Sequence, residues 1–244
     1  PPRSTLFPYT TLFRSGEKTG IDLPGETTGV LPDREWKERV FAGKNPWEKK
    51  WYPGETVNLS IGQGSMASTP LQNAALMATI VNGGYRIQPH LWEGLGPQKK
   101  ERVFSDATIA TVITGMRKCV EDGSPPPTGT GNAAHIEGFT ILGKTGSAQV
   151  LAREFQTKYK NEEDIPYFMR DHAWFVAGVT DHEPKIAICI LMEHGHHGSS
   201  AAAPLAKPLI EYFYSRPAPT PVNEEPAEDP GTEEADTESP DIRE

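Results

Sequence analysis

Phe139-Thr140-Ile141-Leu142-Gly143-Lys144-Thr145-Gly146-Ser147-Ala148-Gln149-Val150 begins as β-prone apolar residues and runs into glycines, a cation and two hydroxyls. Such a run predicts a strand that starts in a core and ends at an exposed edge. Two more strands follow. Ala173-Trp174-Phe175-Val176-Ala177-Gly178-Val179 is one. Lys185-Ile186-Ala187-Ile188-Cys189-Ile190-Leu191-Met192 is the other, continuous enough to be expected buried on both faces. Asp181-His182-Glu183-Pro184 leaves room only for a short turn, so these two should pair antiparallel.

Helices flank this region. Thr69-Pro70-Leu71-Gln72 carries an N-cap, a proline at the first helical position and a capping-box glutamine. Leu71, Ala74, Ala75, Ala78 and Val81 form the expected apolar face, and Asn82-Gly83-Gly84 stops the helix. A second helix starts near Ser105-Asp106 and should bury Ile109, Val112, Ile113, Met116 and Val120, before Gly123-Ser124-Pro125-Pro126-Pro127 forces a loop. A last helix, about Ala201 to Tyr214, should offer Leu205, Leu209, Ile210 and Phe213 to the sheet. The expected class is α+β, an antiparallel sheet flanked by helices.

The ends differ from this middle. Of the 24 basic and 33 acidic residues, the segment 217–244 holds ten carboxylates and one base, Arg243, so the whole charge of −9 lies there. Residues 1–216 balance, which leaves no net basic excess for holding nucleic acid. Six prolines and few apolar residues make the tail a disordered acidic segment, either a solvated terminus or a recruiting tail. The longest apolar run, Ile186 to Met192, is too short to span a bilayer, and no apolar stretch near the start reads as a secretory signal. Residues 1–15 repeat Thr-Leu-Phe without helical or strand period. They resemble translated adapter read-through, the rival being an ordinary flexible terminus. The expected organisation is a non-native leader at 1–15, one folded unit at 16–216 and the tail at 217–244.

Lys144-Thr145-Gly146 is one of three motifs of the penicillin-recognising serine enzymes, beside Ser-x-x-Lys and Ser-Asx-Asn. The tripeptide alone is weakly specific, and Lys18-Thr19-Gly20 is a second copy, with Ser15 three residues before Lys18. A working copy must lie on a strand that edges a cleft, with small residues after it. Lys144 meets this demand. Lys18 runs into Ile21-Asp22-Leu23-Pro24-Gly25-Glu26, a turn-rich segment, and is set aside.

From Thr19 to Tyr214 the chain resembles the C-terminal part of a class B penicillin-binding protein, in the elongation branch known as penicillin-binding protein 2. The likeness rests on several segments in family order. They are Thr19 to Glu26, Gly54-Glu55-Thr56-Val57-Asn58-Leu59-Ser60-Ile61-Gly62-Gln63-Gly64, Thr69 to Gln72, Asn82-Gly83-Gly84 with Pro89-His90-Leu91, Gly143 to Gln149, His172-Ala173-Trp174-Phe175 and Glu193-His194-Gly195. The Ser60 to Gly64 form and the His172 to Phe175 strand favour the elongation enzyme over the septal one. The resemblance implies the back part of a transpeptidase domain of the serine β-lactamase-like fold.

It also implies peptidoglycan cross-linking by serine acyl transfer from D-Ala-D-Ala stem peptides, with β-lactams trapping the same serine, and needs no cofactor or metal. Carried over, Lys144 and Thr145 would grip the donor carboxylate, Gly146 would keep the strand edge open, and the Ser147 N–H would be one oxyanion donor. The large departure is that no Ser-x-x-Lys occurs outside the leader and no Ser-x-Asn occurs anywhere. In the family both lie upstream, so the chain is expected to be a fragment without its nucleophile, inactive alone. A glycan-polymerising membrane partner and the periplasmic side of the bacterial inner membrane are implied for the whole protein. The rivals are a D,D-carboxypeptidase or β-lactamase on the same fold, and a non-catalytic fragment that binds glycan or a partner. The excursion from Arg34 to Tyr52 argues against a class A β-lactamase.

Other residues have plainer readings. His194-Gly195-His196-His197, with no acidic or cysteine partner at ligand spacing, is read as a turn capping the last helix rather than a metal cluster. His172 is expected to tie down the loop before its strand. Trp36, Trp47 and Trp51 suggest glycan contact or, more simply, packing within the excursion. Cys119 and Cys189 are read as buried thiols.

Overall fold

A computed structural model describes residues 16–92, 101–123, 128–151, 158–159 and 161–217. The expected leader, the tail beyond Pro217 and the prolines at 125–127 lie outside them. Helices α1 (Arg34–Val40), α2 (Pro46–Lys49), α3 (Pro53–Ser60) and α4 (Pro70–Val81) come first. A two-residue ribbon, β1 (Tyr85–Arg86) with β2 (Glu101–Arg102), precedes α5 (Asp106–Val120). Then come β3 (Ile141–Ala148), β4 (His172–Val179), β5 (Ala187–Met192) and α6 (Ala203–Ser215). Strands β3, β4 and β5 form one antiparallel sheet in that order, with Gly146 opposite Trp174 and Val176 opposite Cys189. The α+β arrangement and the short β4–β5 turn are as expected.

The capping box of α4 forms as its sequence predicts. Thr69 Oγ1 accepts the Gln72 N–H at 3.1 Å, and Gln72 Oε1 accepts the Thr69 N–H at 2.9 Å. Gln72 is buried and does more than cap. Its Nε2 donates to the carbonyls of Glu17 and Thr28, each at 2.8 Å, and so pins the N-terminal segment to the helix.

Successive residues of a strand face opposite ways, and β3 divides two cores accordingly. Ile141 joins Phe175, Ala177, Val179 and the Ala203–Ala206–Ile210 face of α6 on one side. Leu142 joins Met77, Ile80 and Val81 of α4 on the other. Helix α5 serves both, with Val120 in the first cluster and Val112, Ile113 and Met116 against the second. Phe175 is fully buried at the centre of the first, where truncation to alanine costs about 3–5 kcal/mol.

Three burial expectations are corrected. Strand β5 is only partly buried, because it ends the described sheet; β4, paired on both edges, is the deeply buried strand. On α6, Leu205 and Leu209 are exposed while Ala203, Ala206 and Ile210 are buried. Small alanines let the helix lie close on the sheet, and that rotates the leucines outward. On α4 the buried apolar positions are Met77, Ile80 and the expected Val81, while Leu71 and the alanines are half-buried.

Candidate functional site

Lys144, Thr145, Gly146 and Ser147 occupy the second half of β3, which is an end strand of the described sheet. One edge of it therefore has no strand partner among the described residues. Burial falls along the strand, from a fully buried Ile141 to an exposed Lys144 and half-buried Thr145 to Ser147. Lys144 Nζ donates to the Thr145 carbonyl at 2.6 Å, and no carboxylate among the described residues pairs with it. Thr145 Oγ1 lies 2.9 Å from Thr130 Oγ1, which in turn lies 3.4 Å from Cys119 Sγ. Adjacent strand positions face opposite ways, but the Lys144 ammonium curls back to the Thr145 backbone, so a cation and a hydroxyl lie along the strand that has no partner on one edge among the described residues.

Close packing sets this strand's position. A Cβ on Gly143 would come within 2.8 Å of both Phe175 Cζ and Val120 Cγ2. Gly198 opens the π-turn Gly198–Ala202 that leads into α6, and a Cβ there would meet the Trp174 carbonyl and come 2.6 Å from the Gly146 carbonyl. The turn thus rests directly on the backbone of β3 and β4.

The histidine run builds that turn. His194 and His196 hold positive φ of 58° and 62°. His172 Nδ1 accepts the His194 N–H at 2.9 Å, so His172 secures the turn after β5, not the loop before β4. An N–H donor fixes His172 Nδ1 as the unprotonated nitrogen in this arrangement. His194 Nδ1 in turn donates to the Arg170 carbonyl at 3.2 Å. His197 does have an acidic partner, Glu162, at 2.8 Å, brought from the β3–β4 connection across a sequence gap that motif spacing does not cover.

The early Lys-Thr-Gly copy is built differently. Lys18 is exposed and lies on no strand, and Ser15 is outside the described residues. The Thr19 side chain is buried and its hydroxyl donates to Glu26 Oε1 at 2.5 Å. Burial pushes the Glu26 carboxyl up, but that hydroxyl and the N–H groups of Thr19 and Gly20 outweigh it and hold the group below its usual range. Asp22 accepts the N–H groups of Leu91 and Trp92 at 2.7 and 2.9 Å, which likewise lowers its pKa. These acids fasten a turn-rich segment, which leaves the Thr19 hydroxyl committed.

The excursion is helical. Lys37 is buried, with Nζ at 2.7 Å from both Glu55 carboxylate oxygens and 2.8 Å from the Lys50 carbonyl. Trp36 and Trp51 are half-buried and Trp47 is 63% exposed, so packing within the excursion covers none of the three rings completely. Both cysteines are half-buried rather than enclosed. Sequence reasoning missed Thr130 and the seating of Gly198. Thr130 lies between two glycines after a loop, and no periodicity marks it.

The family described as "Penicillin binding protein transpeptidase domain" matches residues 2–211. Among curated proteins, the peptidoglycan D,D-transpeptidase MrdA of Acinetobacter baumannii is 36% identical over 208 residues, covering 82% of this chain and 30% of the relative. MrdA of Haemophilus influenzae is 32% identical, covering 85% of this chain and 32% of the relative. The chain thus spans about a third of the length of these relatives. Among solved structures, the complex of PBP2 with MreC from Helicobacter pylori aligns with a TM-score of 0.67 at 32% identity, covering 84% of this chain and 35% of that one. PBP2 of Pseudomonas aeruginosa in complex with WCK 5153 aligns at 0.66 and 32% identity, covering 84% and 42%.

Proposed function

The chain belongs to the penicillin-binding protein transpeptidase domain family, and from that premise we propose that β3 anchors the terminal carboxylate of a D-Ala-D-Ala stem peptide during peptidoglycan cross-linking. The observation that carries the reading is the pairing of Lys144 and Thr145 on an end strand, with Lys144 unpaired by any described carboxylate. Lys144 supplies the charge and Thr145 a hydroxyl donor. Gly146 keeps the strand edge low, and the Ser147 N–H is one donor to the oxyanion formed when a serine attacks the penultimate carbonyl. β-Lactams present a carboxylate in the same relation to a reactive carbonyl and would be held likewise.

Residues 16–244 contain no Ser-x-x-Lys, and no Ser-x-Asn occurs anywhere in the sequence. We assign the nucleophile to sequence outside this chain, so that the 244 residues alone are inactive. The MrdA names of the relatives support a role in cell elongation. Periplasmic placement is proposed by the same likeness. Among the described residues no helix is long and apolar enough to cross a membrane. The Helicobacter pylori relative was solved with MreC, which supports a protein partner for the whole enzyme; the glycan-polymerising membrane partner is a separate proposal.

The test uses the complete enzyme. Lys144→Ala should slow acylation by a fluorescent penicillin about 100-fold or more, the scale of a lost charge-assisted contact in a catalytic site. Lys18→Ala should leave the rate unchanged. Equal effects at both positions would overturn the choice of β3.

A further inference from the structure

Helices α1 and α3 enclose a groove of about 240 Å³ that plays no part in the site on β3. Trp36 and Trp51 line it, together with Glu55, Asn58 and Gln63, over a floor of Pro32 and Leu59. Its charge is already neutralised, because Lys37 Nζ lies 2.7 Å from both oxygens of Glu55. The Trp51 indole N–H donates to Thr56 Oγ1 at 2.9 Å, which fixes that ring. Asn58 and Gln63, by contrast, have side-chain amides with no hydrogen-bond partner among the described residues.

Each amide offers both a donor and an acceptor, as each hydroxyl of a sugar does. An indole offers a broad apolar surface to the C–H face of a pyranose ring. A charged ligand would find no opposite charge left to pair with, and a purely apolar one would strand two amides without partners. We infer that this groove binds a neutral glycan chain of N-acetylated hexoses. The choice of an N-acetylated chain rests on the peptidoglycan reading above; the choice of a neutral saccharide rests on the groove alone. The helices then hold glycan beside a domain that acts on the peptides of that glycan.

The experiment is a titration of the nitrogen-15-labelled full chain with tri-N-acetylchitotriose, following the indole N–H signals of its five tryptophans. The Trp36 and Trp51 signals should shift to saturation while those of Trp92 and Trp174 stay in place. Asn58→Ala with Gln63→Ala should weaken binding about tenfold or more. Those positions avoid the Lys37–Glu55 pair, and unchanged Trp92 and Trp174 signals report an intact fold. Shifts that never saturate, shifts of equal size at all five indoles, or full affinity in the double variant would overturn the site. Equal affinity for maltotriose would overturn its assignment to an N-acetylated chain. The readout involves no acyl transfer, so its failure leaves the role of Lys144 standing, and failure of the Lys144 test leaves this groove standing.

Discussion

Thr130 Oγ1 lies 2.9 Å from Thr145 Oγ1. A hydroxyl has one proton to give. If Thr145 is to donate to a carboxylate, Thr130 must donate to Thr145, and the Cys119 thiol at 3.4 Å is then the group that can donate to Thr130. In the complete enzyme, Thr130→Val should slow penicillin acylation roughly fivefold, the effect of about 1 kcal/mol of lost hydrogen bonding. Thr130→Ser should restore the rate. A valine variant with wild-type acylation would show that Thr145 needs no orienting partner.

Gly198 offers a test of packing. An alanine methyl there meets the Trp174 and Gly146 carbonyls, both backbone, so neither can swing aside. Gly198→Ala should destabilise the domain by about 1–3 kcal/mol, lowering Tm by several degrees. Because the displaced backbone includes Gly146, acylation in the complete enzyme should slow as well. Unchanged melting would show that the turn moves freely off the strand.

The chain alone should take no covalent label from fluorescent penicillin. On the proposed reading its Lys-Thr-Gly strand holds a carboxylate, but residues 16–244 supply no Ser-x-x-Lys to form an acyl bond. A labelled band that survives denaturation and is blocked by unlabelled penicillin would reveal a nucleophile within these residues.

Acid should loosen the contact between Asp22 and the segment at Leu91 and Trp92. The two backbone N–H groups hold the Asp22 carboxyl below its usual range, with a smaller contribution from His90. A lowered folded-state pKa gives stability that is present above the unfolded value, about 4, and is lost as pH falls through the folded value. Hydrogen exchange at the Leu91 and Trp92 amides should therefore accelerate on acidification into that range. In Asp22→Asn the acid step should vanish.

Cys189 should resist alkylation. Burial pushes its thiol up to about 11, against a smaller opposing effect of the Asn73 side chain. Its preference for the neutral form contributes stability below the unfolded value, about 8.5, that is lost as pH rises toward 11. At pH 8 iodoacetamide should label Cys189 far more slowly in the folded chain than in denaturant. Equal rates would mean that β5 opens freely.

The elements of this protein were legible from local chemistry. Thr69, Pro70 and Gln72 start α4 because capping is settled within one helical turn, and β-prone runs broken by Asp181 to Pro184 pair antiparallel because so short a turn permits nothing else. The Lys144 to Ser147 run was equally plain as a strand edge. Which face of a helix is buried was not, since Leu205 and Ala206 compete for the sheet and only the closeness of α6 to β4 decides for alanine. Nor could sequence show that Thr130 reaches Thr145, that Glu162 meets His197, or that Gln72 bonds Glu17 and Thr28. Periodicity and capping act over a few residues and leave their mark in the order of side chains. Contacts across longer stretches exist only once the sheet has closed on its helices, so tertiary structure alone decided them.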